Sequence, residues 1–132
     1  MIEFALTAPL LLLLIAGVLD YAVALRMAIA VSSAARAGAQ YGSTTPSNSA
    51  DLAGMVAAAR NAAPSLPGLT AVAVQNCRCA DGTAVSCTGA CPSGPVQVYA
   101  EVTARTTAPK WFNYAGLSFT GAVSAKTVMR AQ

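Results

Sequence analysis

The chain has 132 residues, of which 55% are hydrophobic and only 10% charged, and it carries a net charge of +3. An average soluble domain is roughly a quarter charged, so this chain must bury apolar surface in lipid or against other chains. Its cations (Arg26, Arg36, Arg60, Arg78, Arg105, Lys110, Lys126 and Arg130) are scattered. With no basic run and no basic face interleaved with aromatics, nucleic acid is not an expected partner. There is no histidine, which removes the commonest general base and every His-paired nucleophile. The acids Glu3, Asp20, Asp51, Asp81 and Glu101 are thinly spread, and no phosphate-cradling glycine loop or nucleophile elbow occurs. The reading is of a protein that is not an enzyme and uses no cofactor or metal.

From Phe4 to Leu19 the run FALTAPLLLLLIAGVL contains sixteen residues without a charge. As a helix it covers roughly 24 Å, short of a hydrocarbon core of roughly 30 Å, and it becomes long enough by continuing past Asp20 to Arg26. No basic residue precedes it and the helical pattern does not stop at a cleavage point, which argues against a signal peptide. Leu25, Ala28, Ile29, Ser32, Ala35 and Ala39 then recur three or four apart, marking one helical packing face. Small side chains there allow close helix approach. The first stop is Gly42, followed by STTPSNS. The expectation is one helix of about forty residues, roughly 60 Å long, with Pro9 as a local loosening point. Glu3 at its head supports two readings: it marks the membrane boundary beside the helix N-terminus, or it pairs with a neighbouring subunit's N-terminal amine and sets axial register.

The run IEFALTAPLLLLLIAGVLDYAVAL followed by VSSAARAGAQYG resembles the N-terminus of TadE-like pseudopilins, in the tight-adherence branch of type IV pilus systems. The shared features are the Glu-Phe pair, the proline before a leucine run, the Gly-x-x-Asp-Tyr step and the Ala-Ala-Arg-x-Gly-Ala-x-Tyr-Gly helix end. The resemblance is dense over roughly the first 42 residues. It implies a prepilin cleaved by a membrane prepilin peptidase, held in the inner membrane, then drawn by pilus assembly machinery into an extracellular pilus or periplasmic pseudopilus. Glu3 corresponds to the family's near-terminal glutamate. Family processing normally leaves that glutamate two residues further in, so the expectation is that a leader and first residues precede Met1 or that maturation differs.

Residues 43–132 are then an exported head. Ser43 to Ser49 is polar and, by composition, a candidate for surface glycans. Ser47 to Ser49 can cap a second, shorter helix with Asp51 in its first turn and an apolar stripe of Leu52, Met55, Val56 and Ala59, ending by Pro64. Strands follow: Leu69 to Arg78, with Val72 and Val74 on one face; Val96 to Thr106, alternating strictly; and Gly121 to Arg130. The fold class is α+β and type IV pilin-like, a long N-terminal helix packed on a small antiparallel sheet with a second short helix.

Cys77, Cys79, Cys87 and Cys91 fall between the first two strands. An even count behind a membrane-targeted N-terminus reads as two disulfides stapling a loop over 77–91. A four-cysteine zinc site is disfavoured because C-x-C with C-x3-C lacks the usual C-x2-C knuckles. Nested pairing, Cys79 with Cys87 and Cys77 with Cys91, suits a hairpin-like excursion, one of three connectivities that four cysteines allow. Trp111, Phe112 and Tyr114 form an aromatic concentration, serving either as contact between subunits or as a cap on the sheet edge or core.

The expected function is that of a structural subunit polymerising with copies of itself or other pilins through residues 1–42, in surface attachment. The alternative is a membrane-anchored binding or assembly component of a pilus machine that never polymerises.

Overall fold

The computed structural model describes residues 2–92, 94–107 and 121–131, the side chains of residues 2, 3, 5 and 6 excepted. Helix α1, Ile2–Ser43, runs 42 residues without interruption through Pro9, about 63 Å at 1.5 Å per residue. Its last carbonyls do not stay orphaned. Ser43 Oγ donates to Gln40 O at 2.9 Å and Thr44 Oγ1 to Tyr41 O at 2.8 Å.

Two short helices follow where one was expected: α2, Pro46–Ala50, and α3, Leu52–Asn61. Thr45 caps α2 by accepting from Asn48 N at 3.2 Å, with Pro46 pre-set for the first helical position. Asp51 is the N-cap of α3, not part of its first turn, and its Oδ1 accepts from Gly54 N at 2.9 Å. The carboxylate therefore satisfies an amide that the helix itself cannot reach.

Four antiparallel strands, β1 (Thr70–Arg78), β2 (Ala84–Val85), β3 (Gln97–Thr107) and β4 (Ala122–Arg130), form one sheet in the order β2-β1-β3-β4. The helices cover one face, with α1 against β3 and β4 and α3 against β1. The period-2 pattern of β3 falls as expected: Ala100, Val102, Ala104 and Thr106 are buried between exposed or half-buried neighbours. On β1 the valines lie on the opposite side from the core. Ala71 and Ala73 are buried, while Val72 and Val74 are 62% and 42% exposed. The register explains this, since Val72 lies opposite Thr103 and Val74 opposite Glu101 on the outward face. Strand β2 is two residues long and its pairing with Arg78 and Cys77 is too short to leave a periodic signal.

The core is built almost wholly of small residues, in two adjoining clusters. One gathers Ala39, Met55, Ala59, Ala71, Ala73, Ala100 and Val102; the other Val31, Ala34, Ala35, Ala63 and Ala104. Small side chains on both surfaces bring the helix axis close to the sheet, so one side of α1 from Val31 to Gly42 is part of the head's interior.

Candidate assembly interface

Leucine in the first half and alanine in the second favour helix in α1, but its two halves meet different surroundings. From Leu10 to Leu19 the large apolar side chains are 47–67% exposed. This is the stretch that makes α1 long and apolar enough to cross a membrane. A contiguous apolar surface of this extent needs lipid or protein cover.

The six residues expected to form one packing face divide in two. Ala35 and Ala39 are fully buried against the head. Leu25 and Ile29 are 45% and 69% exposed, and Ala28 and Ser32 are half-buried. These four line, with Ser33 and Arg36, an open hollow of about 480 Å³. At 100° per residue, the line of Val31, Gly38 and Gly42 and the line of Leu25, Ile29 and Arg36 stand about 140° apart on the helix. Among the described residues, the head therefore occupies one side, and Leu25 and Ile29 on the other side are exposed.

Gly38 was not singled out from the sequence and Gly42 only as a helix stop, although their spacing of four is a legible small-xxx-small signal. A Cβ on Gly38 would come within 2.8 Å of Met55 O and 3.1 Å of Val102 Cγ1. One on Gly42 would meet Met55 Sδ and come within 2.7 Å of Ala100 Cβ. Only glycine lets α1 lie this close to α3 and β3.

At the head's far end, Cys77 bonds Cys87 and Cys79 bonds Cys91. The pairs interleave and are not nested. Cys77 is in β1 opposite Val85 of β2, which brings it beside Cys87 just past that strand. Cys79 then crosses to Cys91. No cysteine is free. Asp81 organises the intervening turn, its Oδ1 accepting from Thr83 Oγ1 at 2.6 Å and Thr83 N at 3.0 Å. Both bonds favour the carboxylate and hold its pKa below the ordinary value.

On the outward face of the sheet Val72, Val74 and Val128 are exposed. Glu101 Oε1 meets Lys126 Nζ at 2.6 Å and its Oε2 accepts from Asn76 Nδ2 at 3.0 Å, linking three strands. The Glu3 side chain and Trp111, Phe112 and Tyr114 lie outside the described residues.

No curated protein and no solved structure matches this chain. The family model of TadE-like proteins matches residues 1–40, the long helix almost to its end. The open-sided helix with its exposed apolar half is thus the part that carries the family likeness, consistent with a TadE-like protein of the tight-adherence system.

Proposed function

We propose that this chain is a pilin-like structural subunit that assembles through α1 into a tight-adherence-type pilus or pseudopilus used in surface attachment. The family match points to a component associated with such a pilus. The observation that supports polymerisation is the open side of α1. A plain anchor needs an apolar segment only as long as the bilayer. Here Ile29 stays exposed beyond that length and lines an open hollow with Ser32, Ser33 and Arg36. Once drawn from lipid, each large aliphatic side chain between Leu10 and Leu19 left in water would cost about 1.5–3 kcal/mol, so the run needs cover from other helices.

On this reading the chain waits in the inner membrane with residues 1–42 as its membrane and polymerisation segment and residues 43–132 exported. After cleavage by a prepilin peptidase it is drawn into the filament by the assembly machinery. Glu3 pairs with the N-terminal amine of a neighbour, and Trp111, Phe112 and Tyr114 contribute to contacts between subunits. The interleaved disulfides keep the distal loop folded outside the cell.

Replacing Glu3 with alanine separates this from a non-polymerising membrane component. The subunit account expects loss of filaments while the chain stays in the membrane with both disulfides formed. Filament yield unchanged by Glu3→Ala would remove the assigned role of Glu3. Monomers or small oligomers as the sole species of the wild-type chain would favour the anchored component.

A further inference from the structure

Between Phe4 and Ser43, α1 carries three charges: Asp20, Arg26 and Arg36. Among the described residues, none of the three makes a side-chain hydrogen bond or ion pair. In a dry helix bundle an uncompensated charge is costly, so whichever of these groups enters it needs a partner from outside the chain. A polymer that propagates joins two different faces of the subunit, since a self-complementary face closes into a dimer. At 100° per residue, Asp20 and Arg36 stand about 160° apart on α1, on nearly opposite sides, while Arg26 is about 120° from Asp20.

Resting on the filament reading above, we infer that Asp20 of one copy pairs with Arg36 of the next, the two helices lying parallel and offset by sixteen residues. That offset is about 24 Å along the axis. It places Leu13 of one copy level with Ile29 of the next, and Ala16 and Gly17 level with Ser32 and Ser33. Small residues therefore meet small ones where the backbones must approach, and large apolar side chains meet each other one turn below. The receiving surface is the hollow lined by Leu25, Ile29, Ser32 and Arg36. The approaching surface is the apolar half of α1, whose Leu13 is 60% exposed. The same contact thus covers the apolar run that has left the lipid, fills the hollow and neutralises both charges. An Asp20–Arg26 contact would offset the helices by only six residues, about 9 Å, and would set residues 19–30, not the apolar run, level with the hollow.

The test uses the full-length chain in the producing cell, with sheared filament measured against membrane-retained protein. Asp20→Arg and Arg36→Asp are each expected to lower filament yield at least tenfold, with both disulfides intact in the retained protein. The doubly exchanged chain is expected to recover at least half of the wild-type yield, and Arg26→Asp to stay within twofold of it. Independently, oxidation of filaments of the Leu13→Cys/Ile29→Cys chain is expected to give a ladder of head-to-tail multimers, with each single variant staying monomeric. Wild-type filaments with neither charge-exchange rescue nor a ladder would overturn the pairing while leaving the filament reading standing. A ladder from Leu13→Cys/Leu19→Cys would replace it with the six-residue offset. Absence of wild-type filaments would overturn the filament reading, and this pairing with it.

Discussion

The hydroxyl of Tyr41, in the last turn of α1, donates to Asp51 Oδ2 at 3.0 Å, while Asp51 Oδ1 accepts the Gly54 amide at 2.9 Å. One carboxylate thus caps α3 and ties it to the end of the long helix. The hydrogen bond to Asp51, and then its negative charge, hold the Tyr41 phenol above its ordinary pKa of 10.0. Because the folded pKa is the higher one, the folded chain binds the proton more tightly than the unfolded chain. The stabilisation is fully present below pH 10 and is lost as pH rises through the folded-state value. Ultraviolet titration is expected to show a tyrosine ionising above the ordinary phenol value that is lost in Tyr41→Phe. An unchanged titration end point would contradict the contact. Asp51→Ala is expected to cost about 1 kcal/mol as a lost cap, read from the urea midpoint.

Gly42 sets two effects against each other. Alanine in its place gains about 1 kcal/mol of helix propensity, yet its methyl would press on Met55 Sδ and Ala100 Cβ. Overpacking costs about 1–3 kcal/mol, and contact on two sides puts this site at the high end. Gly42→Ala is therefore expected to lower the midpoint of urea unfolding in detergent, and a gain in stability would show that α1 does not approach the head this closely.

The interleaved disulfides make a specific chemical prediction. Removing Cys87 frees its partner Cys77, so alkylation of Cys87→Ser is expected to label Cys77 and leave Cys79 unmodified. Label on Cys79 would restore the nested pairing. Loss of either bond is expected to cost about 2–4 kcal/mol.

Strand β1 is tested by contrast. Val72 is 62% exposed and Met55 fully buried, so Val72→Thr is expected to change stability by less than about 0.5 kcal/mol and Met55→Ala to cost about 2–5 kcal/mol. Comparable losses would place Val72 in the core after all.

These positions also show what the amino-acid order reveals by itself. The helix end near Gly42 and the alternation of β3 were legible because each follows a strong local rule, a breaker cluster or a period of two. The side of β1 that faces inward was not. Its alternating residues are valine and alanine, and hydrophobicity alone favours burying the larger. The reverse holds because α1 and α3 lie so close that the inner layer has room for Ala71 and Ala73 only. The disulfide pairing was hidden for a related reason, since it depends on β2, two residues long, turning Cys87 toward β1. Asp51 was read as a helix-favouring charge, but Pro46 and Thr45 start a separate turn before it. The packing face of α1 appeared as one stripe because spacing alone does not say which end the head will claim.

The central claim, that α1 packs against copies of itself, is most directly tested by electron microscopy of sheared surface material labelled with an antibody to residues 43–132. The account predicts filaments decorated along their length, or in short stubs for a pseudopilus, with this chain as a stoichiometric component. Label confined to the membrane fraction, with filaments absent or undecorated, would contradict it.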